Sequence, residues 1–290
     1  MKICFFSHCT IDEIVRDENV VETPGGPACY GGLTARKLNF DVDLKTKVGP
    51  DFPLVQFLHK NGIKMETALS DMDTTRFLIN IQGAERTLVL KKMCSPIEYN
   101  TIDADGIVVS PVFDEVSYEI LEKIKSDSSF IMLDPQGFVR RIDSNNRVYN
   151  DRTDLNLTKI TAIHVDPDEI FHLTGQSGTD AMKALQKKGV EYVIFTDKRE
   201  VSMLVKDRLY KITIPDVNVH DTTGLGDVVC AAFTSIQIKE KDPLWSISFA
   251  GGAAQAALET GQTGLQKIPE KAAIETNAYY FYNLVEFSQI

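Results

Sequence analysis

Four short runs of apolar and β-branched residues constrain this chain most: Gly106-Ile107-Val108-Val109-Ser110, Phe130-Ile131-Met132-Leu133-Asp134, Thr161-Ala162-Ile163-His164-Val165 and Tyr192-Val193-Ile194-Phe195-Thr196. Their apolar stretches are nearly continuous rather than alternating, so they need cover on both faces. Stretches of helical period, Tyr118 to Lys125 and Thr179 to Lys188, lie between them. Continuous strands alternating with helices predict a mainly parallel sheet with helices on both sides, an α/β fold. The strands lead into polar residues, Ser110, Asp134, Asp166 and Thr196. The carboxyl ends of strands in such sheets form the ligand crevice, so one edge of the sheet is already polar where a site should be.

Two segments break the pattern. Ile11 to Val21 is short, acidic and alternating, and Thr74 to Lys92 reads as two strands joined at Gln82-Gly83-Ala84-Glu85. Neither is followed by a crossover helix. Together they predict a small antiparallel sheet standing off the main one, either a lid built from segments 11–22 and 73–97 or a peripheral hairpin. No linker or repeat divides the rest, and residues 1–290 read as one domain.

Composition narrows the function. With 31 basic against 41 acidic residues the net charge is -10, the wrong sign for a nucleic-acid backbone binder. No apolar run approaches the ~18 residues of a membrane span. The N-terminus lacks a signal-peptide pattern, and a cytoplasmic protein is expected. Five cysteines without paired spacing predict reduced structural thiols. The histidines have no metal-ligand spacing, and His220 reads as a helix-entry residue.

The chemistry concentrates in Asp221-Thr222-Thr223-Gly224-Leu225-Gly226-Asp227, which runs into the apolar stretch Val228 to Ile238. A strand, Leu209 to Ile214, precedes it. This is a glycine loop feeding a buried helix, where unpaired amides favour an anion. Asp227 puts a carboxylate beside that anion site. It would repel a resting phosphate, but it makes sense as a base that takes a proton from a hydroxyl attacking a phosphoryl group. On spacing alone a simple acidic first-turn residue stands equally well. A dinucleotide fingerprint would need glycine where Val229 stands, and neither a P-loop nor a protein-kinase signature occurs.

The loop resembles the Asp-Thr-Thr-Gly-Ala-Gly-Asp signature of the ribokinase (PfkB-type) carbohydrate kinases, with Leu225 in place of Ala. Gly25-Gly26 before Pro27-Ala28 resembles the family's glycine pair under the sugar, and Val48-Gly49-Pro50-Asp51 its next glycine-acid turn. Asp166-Pro167-Asp168-Glu169 is similar to the Asn-x-x-Glu motif, with Asp166 for Asn. Ala250-Gly251-Gly252-Ala253-Ala254 resembles the wall of the adenine pocket. The likeness spans roughly residues 1 to 265 in the family's order. His8 to Asp12, Met93 to Ile97 and Asp134 to Arg140 are similar to segments of the myo-inositol kinase branch.

The resemblance implies a ribokinase-like three-layer sandwich with a mainly parallel central sheet and a small β lid. It implies a kinase that moves the ATP γ-phosphoryl group to a hydroxyl of a small sugar or polyol, such as myo-inositol, or of a nucleoside. Asp227 would be the base, and the amides of Gly224, Leu225 and Gly226 the anion hole. Asp12, Gly25, Gly26, Gln136 and Arg140 would hold the acceptor. Asp166, Thr196, Asp197, Thr222, Gly224, Gly226, Gly252 and Ala253 would line the nucleotide site. Glu169 would order magnesium through water. The implied cofactors are Mg2+ and ATP, with a monovalent cation left open. The chain would be a monomer or a lid-paired homodimer that binds neither nucleic acid nor membrane. One departure bears on the donor: Asp197-Lys198-Arg199-Glu200 stands where the family has a glycine-containing turn over the nucleotide. The rival readings are a non-catalytic small-molecule sensor on the same fold and a Rossmann-type oxidoreductase.

Overall fold

The structure is a computed structural model that describes residues 1–16, 19–82, 85–216 and 221–290. The chain begins with β1 (Lys2–Phe6), β2 (Thr10–Arg16), β3 (Asn19–Gly25), α1 (Pro27–Lys37), β4 (Asp41–Lys45), α2 (Val55–Lys60) and β5 (Ile63–Lys64). It continues through β6 (Thr75–Gln82), β7 (Glu85–Lys92), β8 (Gly106–Val109), α3 (Tyr118–Ile124), β9 (Ile131–Leu133), α4 (Gln136–Val139), β10 (Arg140–Ile142) and β11 (Val148–Asn150). The last part holds β12 (Ala162–Val165), α5 (Pro167–Thr174), α6 (Gly178–Lys187), β13 (Tyr192–Asp197), β14 (Glu200–Val205) and β15 (Arg208–Thr213). Two long helices, α7 (Leu225–Glu240) and α8 (Pro243–Glu259), a 3-10 turn at Gly264–Lys267, α9 (Lys271–Leu284) and β16 (Glu286–Gln289) close it.

Ten strands form one sheet in the order β16-β15-β14-β13-β12-β9-β8-β1-β4-β5. It is parallel from β13 to β5 and antiparallel where β14, β15 and β16 extend one edge. The apolar strands bury both faces. Ile3, Phe5, Val108, Met132 and Ile194 pack toward the side of α1, α7 and α8. Their alternating neighbours Cys4, Phe6, Ile107, Val109, Leu133 and Val193 pack toward α5 and α6. Burial of this kind contributes about 25 cal/mol per Å² of apolar surface. The α/β sandwich expected from the strand pattern is what the chain forms.

A second sheet of four strands, β3-β2-β6-β7, stands off the first. β2 and β6 pair in parallel, with hairpin partners β3 and β7 on the outside. Its strands come from the two segments that broke the helical pattern, with β2 starting one residue before the first segment and β3 running past its expected end to Gly25. The roots of this sheet are pinned by polar contacts. The buried His8 ring meets Thr75 Oγ1 at 2.8 Å and the Ser95 carbonyl at 2.9 Å. Asp51, from the glycine-acid turn, accepts from the Thr74 amide at 2.9 Å and from Arg76 Nη2 at 3.0 Å. Burial alone would raise the Asp51 carboxyl, but the hydrogen bonds from Thr74 and Arg76 hold it down at about 2. The expected hairpin turn at Gly83-Ala84 and the histidine at 220 lie outside the described residues. All five cysteines are buried and unbridged.

Candidate active site

Strand periodicity builds the floor of the site. Met132 faces the α7 side of the sheet, so the residue two further on, Asp134, faces it too. The same count puts His164 two places after Ala162 and Thr196 two places after Ile194 on that face. These residues stand at the carboxyl ends of neighbouring strands, and they bond into one row. His164 Nδ1 meets Asp134 Oδ2 at 3.0 Å, and its Nε2 meets Thr196 Oγ1 at 3.0 Å. Burial would lower the imidazole pKa, but the Asp134 carboxylate outweighs it and holds the ring above its ordinary value.

The anion loop sits on this row. Gly224 adopts φ 75°, and a side chain there would drive its Cβ to 2.4 Å from the Tyr30 ring. Glycine is therefore required by both backbone and space. His164 lies under Gly226, 3.0 Å from where a Cβ would project. The Leu225 amide turns back onto the Thr222 carbonyl at 3.1 Å. Of the amides expected to face an anion, only those of Gly224 and Gly226 stay open among the described residues, so the Leu225 amide is corrected to a turn donor.

Asp227 follows in the first turn of α7, half-buried and lining the cavity. Burial, with the Asp134 charge behind it, pushes its carboxyl up to about 8. Asp12, buried at the end of the lid root, is pushed up to about 6, chiefly by burial. Its Oδ1 has no partner among the described residues. A buried carboxylate oxygen left unpaired is costly unless a ligand donates to it.

Asp166 caps α5 through a capping box: its Oδ1 accepts from the amides of Asp168 (2.9 Å) and Glu169 (2.8 Å), and Glu169 Oε2 accepts from the Asp166 amide (3.0 Å). Burial and the nearby Asp134 and Asp166 charges push the Glu169 carboxyl well above its usual range. One oxygen of each carboxylate lies outside the box. Crowded carboxylate oxygens on a cavity wall, with excess negative charge between them, fit the donor set a magnesium ion takes.

One cavity of about 430 Å³ brings most of the predicted residues together. Asp12, Gly26, Gln136 and Arg140 line it with Asp166, Glu169, Thr196, Thr222, Gly224, Leu225, Gly226 and Asp227. The lid side adds an apolar wall of Phe77, Ile79 and Leu88, together with Arg86. Gly25 sits just behind, where a Cβ would come 3.5 Å from Asp12 Oδ2. Three predicted nucleotide residues do not line the cavity. Asp197 is exposed on the outer hairpin. Gly252 and Ala253 are buried in α8, and a Cβ on Gly252 would fall 2.6 Å from the Ala278 amide of α9. Gly252 thus lets two helices pack closely, while Ala254 is the α8 residue that reaches the cavity.

The sequence reading did not single out Arg86, His164 or Lys267 for the site. His164 was recoverable from strand alternation, because it is the polar residue on the inner face of an otherwise apolar strand. Arg86 and Lys267 carried no such signal.

An anion loop, a carboxylate beside it and a second carboxylate across the same cavity, on a helix-covered parallel sheet, define a phosphotransferase site. The chain belongs to the pfkB family of carbohydrate kinases, whose model matches residues 2–271. It is a kinase with an alcohol acceptor. A cytidine kinase of Thermococcus kodakarensis is 23% identical over 257 residues, 80% of this chain and 87% of that one. A pyrophosphate-dependent kinase in the ribokinase family, complexed with a pyrophosphate analog and myo-inositol, superposes with a TM-score of 0.81 at 20% identity, covering 94% of this chain and 99% of that one. A ribokinase from Thermotoga maritima superposes at 0.76 with 18% identity, covering 96% and 99%. These structures share the fold. No helix among the described residues is long and apolar enough to cross a membrane.

Proposed function

We propose that this kinase phosphorylates a hydroxyl of a small polyol or sugar, with Asp227 as the base. The observation that carries the reading is one cavity lined both by Asp227 with the open amides of Gly224 and Gly226 and by a second buried acid, Asp12, one of whose oxygens has no partner among the described residues. An acceptor held by Asp12 would share the cavity with Asp227, which would take the proton of the attacking hydroxyl. The amides then receive the charge that develops on the transferred group, and positioning does most of the remaining work. Gln136 and Arg140 line the same cavity; Arg140 Nη1 donates to the Val112 carbonyl at 2.8 Å, which ties the guanidinium to the cavity wall, where its charge can meet a phosphoryl group.

Asp166 and Glu169 would hold magnesium through its water shell. When bound, the ion neutralises phosphate charge. Thr196 and Thr222 border the donor side.

ATP is the donor on the family reading. A second reading, inorganic pyrophosphate, is favoured by two local observations. Gly252 is packed against α9 and neither it nor the buried Ala253 lines the cavity, and a left-handed Lys198 (φ 53°) lines it from the turn where the family has glycine. The first leaves the expected nucleobase wall out of the cavity, and the Lys198 side chain takes room over the turn. The solved relative bound to a pyrophosphate analog shows that such a donor occurs on this fold.

The test is a matrix of acceptors (myo-inositol, other cyclitols, ribose, fructose, cytidine) against Mg-ATP and Mg-pyrophosphate. Transfer to one acceptor class is expected. Tight acceptor binding with no phosphate transferred from either donor would instead support a sensor.

A further inference from the structure

The structure assigns a second role to the loop that carries the base: it is held from behind by a cation belonging to the chain itself. Lys267, in the 3-10 turn Gly264–Lys267, is 0% exposed. Its ammonium lies 2.8 Å from Asp221 Oδ2 and 3.3 Å from the Asp221 carbonyl, 5.4 Å above the centre of the Tyr30 ring. The Gly264 amide donates to the same Oδ2 at 3.0 Å, and the Thr223 amide to Oδ1 at 2.8 Å. Asp221 is the first residue of the anion loop. The Tyr30 ring beneath the ammonium is the one that Gly224 rests on. Lys267 therefore holds the loop at its first residue, through the Asp221 carboxylate, and backs its middle through the Tyr30 ring under Gly224.

A carboxylate and a carbonyl oxygen converging on one buried point are the donors a hard monovalent cation would take. The family resemblance leaves such an ion open for this chain. Here the point is filled by an ammonium, and a second cation would meet an unscreened like charge at short range. The residues do not fit a monovalent metal ion at this place. Lys267 is a positioning residue that replaces it, so the anion loop is set without potassium. The inference extends the kinase reading, but its thermal readout does not depend on catalysis.

The experiment compares KCl, NaCl and tetramethylammonium chloride at fixed ionic strength. For the native chain, both the unfolding temperature and the transfer rate are expected to be the same in all three salts. A bound ion at saturating concentration would shift the unfolding temperature by several degrees. A potassium-specific rise in either quantity overturns the inference. Lys267→Ala is expected to slow transfer about 10²-fold, as loop misplacement does, and to regain activity and unfolding temperature with potassium or ethylammonium. Lys267→Arg should retain more activity than Lys267→Ala. A Lys267→Ala protein as active as the native chain, or slow and unresponsive to every cation, contradicts the role. If that variant does not fold, the native-chain comparison still decides. If the native chain transfers no phosphate to any acceptor, the kinase reading fails while the thermal comparison stands.

Discussion

Two carboxylates six residues apart bracket the anion loop, and their settings are opposite. Asp221 faces a cation: burial opposes its charge, but the Lys267 ammonium and the amides of Gly264 and Thr223 hold its pKa below the ordinary value. Asp227 has no ion-pair partner among the described residues and lies near the Asp134 charge, so burial and Asp134 push it up to about 8. One acid is satisfied and fixed; the other is kept short of partners. The difference separates a group that shapes the loop from a group poised to exchange a proton. Sequence symmetry, an aspartate at each end of the motif, hides this completely.

The largest effect expected from breaking the contrast is on Asp227. Asp227→Asn keeps the shape and removes the base, so turnover should fall ~10²–10⁴-fold, while calorimetry finds donor binding preserved. The same change should leave the fold at least as stable as before, since it removes a carboxyl whose ionisation the folded site opposes. Asp221→Asn should do the reverse. It strands the buried Lys267, and loss of a partner from a buried pair costs ~3–5 kcal/mol, read as a lower urea midpoint.

The pH dependence sharpens the comparison further. The Asp227 carboxyl titrates at about 8 in the folded chain against 3.8 as its ordinary value. The native state therefore holds the proton longer than the unfolded one, and this group's contribution to stability falls as pH rises between those two values. Asp12, raised to about 6, acts in the same direction over a shorter window. The stability advantage of Asp227→Asn over the native chain should accordingly grow from pH 4 to pH 8 and then level off. In the free enzyme, kcat/KM should rise with pH until Asp227 is ionised. A flat profile in both measurements would remove the distinction between the two acids.

Smaller effects are expected away from the loop. Acceptor binding should slow hydrogen exchange in β6 and β7, whose inner residues Phe77, Ile79 and Leu88 line the cavity, more than in α8. Lys188→Ala, which removes a surface pair with Asp154, should change stability by only ~0–1 kcal/mol.

The strands and helices were legible because apolar runs have only a few ways to be buried. The acid loop was legible because two glycines before a buried helix are costly unless something approaches the backbone. Distances across the fold were not legible. Lys267 lies 46 residues from Asp221, and nothing in its own neighbourhood marks it as buried. Gly252 shows the opposite failure. A small-residue helix reads equally well as a ligand wall or as a helix–helix contact, and only packing against Ala278 distinguishes them. The Leu225 amide was misread for a similar reason, because the turn that captures it is a matter of backbone geometry.

A crystal structure with an acceptor and a non-hydrolysable donor bound together tests the role of Asp227 at the reacting atoms. One acceptor hydroxyl is expected within ~3.2 Å of the Asp227 carboxylate, with the terminal phosphoryl group over the Gly224 and Gly226 amides. An acceptor whose reactive hydroxyl points away from Asp227, toward another base, would contradict it.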